Sequence, residues 1–250
     1  MTVNESRVVA IIQARMGATR LPGKVLMDVA GQPMLERVVN RASRSKIVSN
    51  VVIATTTQPG DDSIASLCEA HGWQHFRGSE TDVLDRYYQA ALAFRADIIV
   101  RITADCPLIE PEIIDRIVNE FLSVYKDADY VSNTLIRTFP RGLDVEVISY
   151  SALTKAWQED HDPVSREHVT PYIWRQPDKF KIHSITNDDD YSYMRWTVDT
   201  AEDLAFVRKV YDHFKDDTFS WREVLELLKE HPEWLEINRD VQQKVVPGQP

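Results

Sequence analysis

The sequence predicts an α/β protein with a doubly wound, mostly parallel sheet and a small β/α extension. Three observations carry that prediction. Short apolar runs alternate with stretches whose apolar residues recur at helical spacing. The runs are continuous instead of alternating, as expected of parallel strands buried on both faces. The links between them are short, which implies right-handed crossovers.

Taken in order, residues 8–12 form the first strand. Leu35, Val38, Val39 and Ala42 then mark a helix, and residues 51–54 the next strand. Ile64, Leu67 and Cys68 lie on a second helix, and Leu84, Tyr87, Tyr88 and Ala91 on a third. Residues 98–103 form a strand, followed by a helix carrying Ile113, Ile114, Ile117 and Phe121. The rhythm then changes. Residues 129–132, 143–149, 179–185 and 194–198 look like strands that extend the sheet or form a small β subregion, with an irregular segment containing Pro140 and Gly142. Helices return at 201–214 and 221–229, and the tail from Arg239 is expected to fray. The expected organisation is one domain over 7–215, with 133–185 as a subregion, then a C-terminal helix and tail over 216–250.

Composition excludes several classes. The 250 residues hold 29 Lys and Arg against 39 Asp and Glu, a net charge of −10. That balance argues against a general nucleic-acid or membrane-surface binder. Cys68 and Cys106 have no CxxC spacing, so neither a disulfide scaffold nor a structural zinc site is expected. The first residues lack a basic n-region and the apolar run is short, so a cytoplasmic protein is expected.

Chemistry concentrates after the first strand, in Gln13-Ala14-Arg15-Met16-Gly17-Ala18-Thr19-Arg20-Leu21-Pro22-Gly23-Lys24. Three cations, two glycines and a proline lie there in an otherwise acidic chain. The position is the carboxyl end of a parallel strand, where such sheets bind ligands. Glycines let backbone N–H groups approach phosphates, which Arg and Lys neutralise. The loop matches neither GxGxxG nor the Walker A spacing, and a solvated basic loop is the plain alternative. Asp105 follows the strand at 98–103, and Asp199 follows residues 194–198. Two carboxylates with nucleotide phosphates suit Mg²⁺. Equally, Asp105 could cap the turn before Pro107 and Asp199 could cap the next helix. Cys106, Trp157, Trp174, Trp196 and Trp221 are expected in the core. The D-x-D patterns at Asp127 and Asp188 arise easily by chance.

The loop, together with residues 76–87, 101–109, 133–147, 166–171 and 195–200, resembles sugar nucleotidyltransferases of the cytidylyltransferase branch, the SpsF-type group in particular. CMP-KDO and CMP-sialate synthetases belong to the same branch. The resemblance spans about residues 8–212 and implies a Rossmann-like sheet of the nucleotide-diphospho-sugar transferase type. It implies a Mg²⁺-dependent transfer of CMP from CTP to a small-molecule acceptor, with Arg15, Lys24 and Asp105 catalytic. Ala14, Arg15, Gly17, Thr19, Arg20, Lys24, Arg77, Gly78, Ser79 and Asp105 would contact the nucleotide; alternatively residues 77–79 form a turn and Ser79 or Thr81 caps a helix. Asp105 and Asp199 would hold Mg²⁺. Asn133, Arg141, Glu146, Arg166 and His168 fall where such enzymes bind an acidic or phosphorylated acceptor, although a lone His168 is also a common structural residue. The resemblance further implies a homodimer through about 133–185. A glycosyltransferase using a nucleotide sugar and a non-catalytic nucleotide-binding subunit are the competing readings.

Overall fold

A computed structural model describes residues 6–124 and 127–243 of the protein. The first half comprises β1 (Val8–Gln13), the short hairpin β2 (Asp28–Val29) and β3 (Gln32–Pro33), α1 (Met34–Ala42), β4 (Asn50–Thr56) and α2 (Asp62–His71). It continues with β5 (Gln74–Gly78), α3 (Val83–Ala93), β6 (Ile98–Thr103) and α4 (Pro111–Asn119). The second half comprises β7 (Tyr130–Ser132), β8 (Glu146–Ser149), α5 (Tyr150–Glu159), α6 (Pro163–His168) and α7 (Pro171–Trp174). It ends with β9 (Ile182–Ser184), α8 (Ala201–Phe214) and α9 (Trp221–Glu230).

One seven-stranded sheet has the order β5-β4-β1-β6-β8-β7-β9. β1 pairs in parallel with β4 and β6, and β4 with β5. β8 runs antiparallel to β6 and β7, and β9 is parallel to β7. The chain moves from β1 to β4 and β5 on one side, then returns to β6 on the other. That reversal opens a crevice over the carboxyl ends of β1 and β6. The register Gln13↔Thr103 sets the two strand ends side by side beneath it.

The pleat of β1 divides the core. Val8, Ala10 and Ile12 face one layer with the apolar sides of α1, α4, α8 and α9. Val9 and Ile11 face the other layer, with α3 and α5. Trp221, Val224 and Leu225 of α9 lie in the same buried cluster as β1. α8 and α9 each begin with a reciprocal capping box, at Thr200–Asp203 and Ser220–Glu223.

The extension joins the main sheet through β8, β7 and β9. Three expectations there need correction. Residues 194–198 form no strand; they make only an isolated bridge, Arg141↔Arg195. Gly142, at φ 109°, presses on this segment so closely that a Cβ would lie 2.7 Å from the Thr197 nitrogen and the Trp196 carbonyl carbon. The two segments run parallel for this single bridge, with the Arg141 N–H on the Met194 carbonyl and the Trp196 N–H on the Arg141 carbonyl. Of 143–149 only the second half is a strand, because the Asn133 side chain takes the Leu143 carbonyl (2.7 Å) and the Val145 N–H (2.9 Å). Of 179–185 only Ile182–Ser184 pairs. The helices α5, α6 and α7 were not expected; α5 starts where the Ser149 hydroxyl accepts from the Ala152 N–H. The tail is anchored as far as Gln243 by buried Asn238, which donates to the Arg195 carbonyl at 2.8 Å and to Asp203 at 2.9 Å. Residues 244–250 lie outside the described residues.

Candidate active site

The loop after β1 folds around Met16. The Met16 N–H donates to Asp61 (2.7 Å), itself buried and bonded to the Thr56 hydroxyl. The Met16 carbonyl accepts from Ala18 and Gly23, each at 2.9 Å. Ala14 is tied to β4 through the Ala54 carbonyl. Gly23 turns at φ 72° into a short 3-10 turn, Lys24–Leu26, that directs the Lys24 side chain inward. The N–H groups of Gly17, Thr19 and Arg20 have no acceptor among the described residues, which leaves them for a ligand.

Lys24 is the hub of the crevice. Its ammonium donates to Asp105 (3.0 Å), to Asp199 (2.8 Å) and to the Val198 carbonyl (2.8 Å). Burial opposes its charge, but the two carboxylates outweigh burial and hold its proton more tightly than usual. Asp105 is likewise kept below the ordinary carboxylate range: Lys24 and the Thr103 hydroxyl overcome the cost of burial. The far oxygen of Asp199 takes Arg20 at 2.7 Å and Arg195 at 2.8 Å. Arg195 also grips buried Asp203, whose carboxylate caps the start of α8 with Thr200. Thr200, not Asp199, is therefore the helix cap, and Asp199 is left to the crevice.

The crevice has two compartments. One, of about 430 Å³, lies against Ala14, Arg15, Thr19, Arg20, Lys24 and Asp105. The other, of about 290 Å³, extends over β8 to Arg101, Asp144, Glu146, Thr170 and Trp174. His168 and Asp199 border both. In the second compartment, buried Glu146 accepts from Tyr130 (2.5 Å), Thr170 (2.8 Å) and Arg101. Asp144 is held by both arms of Arg137 and stays below the ordinary carboxylate range, Arg137 prevailing over burial. Burial and the cations Arg101, Arg175 and Arg15 push the His168 pKa below its ordinary 6.5, against Glu167.

The structure thus brings Ala14, Arg15, Thr19, Arg20, Lys24, Asp105, Asp199, Glu146 and His168 to one crevice. Gly17 is in the loop, where a Cβ would meet the Glu80 carboxylate at 3.9 Å. Other expected residues are committed elsewhere. Arg77 binds the Thr56 and Gln58 carbonyls and Asp62, bracing the end of β4. Gly78 packs against Arg86 and Phe76, and the Ser79 hydroxyl accepts from the Asp82 N–H. Asp82, not Ser79, caps α3. Asn133 is buried on backbone partners, and Arg166 joins Asp82 to the Trp157 and Asp160 carbonyls. Arg141 faces a neighbouring cavity of about 430 Å³ beyond Arg195. Trp174 lines the cleft and Trp157 is half-buried, so neither is core, whereas Trp196 and Trp221 are. Cys106 is buried, and burial with Asp105 nearby keeps it a thiol.

Sequence reasoning passed over Gln13, Arg101, Thr103, Asp144, Glu167 and Arg195. Only Arg195 carried a signal, four residues before Asp199. For a divalent cation, the fit rests on Asp105 and Asp199, whose carboxylates face each other across the Lys24 ammonium. Among the described residues no third His, Cys, Asp or Glu completes the set. Two hard carboxylates suit Mg²⁺, which takes its other ligands from phosphate and water.

A parallel-sheet crevice with a glycine-containing basic loop on one side and paired carboxylates on the other defines a nucleotidyltransferase. Residues 9–245 match the cytidylyltransferase family, and the chain belongs to it. An uncharacterised protein of Methanocaldococcus jannaschii is 37% identical over 240 residues, covering 95% of this chain and 97% of that one. The spore coat polysaccharide biosynthesis protein SpsF of Bacillus subtilis is 32% identical, covering 90% and 95%. The 3-deoxy-manno-octulosonate cytidylyltransferase of Geobacter sulfurreducens is 43% identical over 112 residues, covering 44% and 43%. The structure of a cytidylyltransferase from Leptospira borgpetersenii superposes with a TM-score of 0.89 at 36% identity, covering 96% and 99%. Among the described residues no helix is long and apolar enough to cross a membrane.

Proposed function

We propose that the protein transfers CMP from CTP to an acidic sugar or a phosphorylated or phosphonate small molecule and releases pyrophosphate. The pathway would be cell-surface polysaccharide or related glycoconjugate biosynthesis, in keeping with the likeness to SpsF. The observation that carries the reading is Lys24 held between Asp105 and Asp199 at the edge of the basic loop.

In this reading Arg15, Arg20, Lys24 and the open N–H groups of the loop bind the β- and γ-phosphates. The acceptor occupies the second compartment, beside Glu146 and Trp174. Its oxygen forms a bond to the α-phosphorus as the bond from that phosphorus to the pyrophosphate oxygen breaks. Negative charge develops on the departing pyrophosphate, where fixed cations stabilise it without reorganising. His168 borders both compartments and is neutral at neutral pH, so it can take the proton of an acceptor hydroxyl. Asp105 and Asp199 would hold Mg²⁺, which supplies charge neutralisation at the phosphates when bound.

The test is pyrophosphate release with Mg²⁺, each of the four nucleoside triphosphates and a panel of acidic and phosphorylated acceptors. CTP-selective release is expected. Release of a nucleotide from a nucleotide sugar, with no pyrophosphate from any triphosphate, would overturn the reading in favour of glycosyl transfer.

A further inference from the structure

The C-terminal strap over residues 239–243 reaches the crevice and meets it with uncharged groups. Its anchor is Asn238, 5% exposed, and a turn closed by the Val241 N–H on the Asn238 carbonyl (3.1 Å) leads onward. Two strap oxygens then meet two guanidinium groups. The Gln242 carbonyl accepts from Arg20 at 2.9 Å, and the Gln243 amide oxygen accepts from Arg195. Both arginines are the ones already gripping the far oxygen of Asp199. Gln243 also forms part of the wall between the acceptor compartment and the cavity that Arg141 faces. The Arg141 guanidinium has no hydrogen-bond or ion-pair partner among the described residues. Burial first, then Arg137 and Arg195, loosen its proton, against Asp144.

We propose that Arg20 and Arg195 form a subsite for the anionic oxygens of pyrophosphate, free or at the end of a nucleoside triphosphate, and that the strap fills this subsite with its own two oxygens when no nucleotide is bound. The inference rests on the cytidyl-transfer reading for the source of the anion. The physical reason is a difference in charge. A peptide carbonyl and a carboxamide are neutral acceptors, whereas a phosphate oxygen makes a charge-assisted bond of roughly twice the strength to the same guanidinium. Phosphate therefore displaces the strap, and the strap in turn lowers the affinity for phosphate. Arg195 would become a binding residue for the phosphates as well as the clamp on Asp199 and Asp203. Release of product pyrophosphate is then assisted by a group of the same chain waiting beside it.

The experiment uses calorimetry and hydrogen exchange on the full chain, with a shortened chain ending at Asp240 as the variant. The shortened chain keeps Asn238 and both arginines. Inorganic pyrophosphate should bind it about tenfold more tightly than the full chain, the scale on which one or two competing charged-donor hydrogen bonds act. In the full chain, pyrophosphate should speed exchange of the Val241 amide. Unchanged or weaker binding to the shortened chain, or slower exchange at Val241, overturns the subsite, as does failure of both chains to bind pyrophosphate. Tightening for 3-deoxy-manno-octulosonate as the probe, without tightening for pyrophosphate, assigns the arginines to an acceptor carboxylate and also overturns it. CTP binding by the full chain is the separate check on cytidyl transfer: its absence beside tightened pyrophosphate binding rejects that reading and leaves the subsite standing.

Discussion

Lys24 determines the electrostatics of the crevice, since one ammonium satisfies two carboxylates from distant parts of the sequence. Replacing Lys24 or Asp105 by Ala is expected to abolish turnover, at least about 100-fold in rate, as preorganised charge stabilisation usually does. Circular dichroism should show the fold retained, because both carboxylates remain partly exposed (26% and 20%) and can hydrate. Near-normal turnover in either purified variant removes that residue from the mechanism. His168 offers a pH test. Its folded pKa lies below the ordinary 6.5, so the folded protein binds that proton less readily than the unfolded chain does. Its contribution to stability is intact above 6.5 and is lost as pH falls below that value. An NMR titration should place the His168 midpoint under 6.5, and a midpoint at or above it removes the neutral-base role. Asp105 has the same sign at lower pH: its folded pKa is depressed, so its share is lost as pH falls below the ordinary 3.8.

At the level of elements, Gly142 is the sharpest test. Its φ of 109° and the 2.7 Å approach to the Trp196–Thr197 backbone leave no room for a methyl group. Gly142→Ala should cost about 2–4 kcal/mol, the sum of a strained backbone and overpacking. Urea denaturation reads this directly, and a loss under about 0.5 kcal/mol would mean that the contact relaxes freely. The same place shows why the sequence was only partly legible. β1, β4 and β6 were legible because strands buried on both faces must be continuously apolar, and α8 because Asp-Thr-Ala-Glu-Asp reads as a helix start, although its cap is Thr200 and not Asp199. Residues 194–198 carry the same apolar signature for another reason: Met194, Trp196 and Val198 are buried in the core cluster, while the segment makes only one bridge. At the site, the position of a residue after a strand was readable, as with Lys24 and Asp105. The direction of a long side chain was not. Arg77 and Arg166 have the chemistry of ligand binders, yet both are spent on carbonyls and carboxylates of their own fold. Arg101 was passed over because it lies inside a strand, where period and apolarity mark only its neighbours.

Over the whole molecule, the two layers share one sheet, and α9 belongs to the layer beneath β1. Trp221, 3% exposed, packs there with Phe139 and Tyr191. Trp221→Ala should therefore cost about 3–5 kcal/mol, as for other large core truncations. Urea unfolding of the wild-type chain should show coincident transitions by fluorescence and far-ultraviolet dichroism. A separate early transition that is sensitive to Trp221 would mean that α9 folds as an appendage. The reversed direction of β8 reaches further than packing. Neighbouring antiparallel strands can be joined by a loop alone, whereas parallel ones need a full crossover. β7 and β8 are joined in this way, through residues 133–145, and that arch delivers Thr134 and Asp144 to the acceptor compartment. The exposed turn of that arch around Ile136 can change without rebuilding any helix or shifting the four parallel strands, whereas Phe139, packed on Trp221, and Gly142 fix its base. Only that turn is therefore an interchangeable part: it can be varied, or grafted from a relative, while the base of the arch and the strands under the basic loop stay as they are.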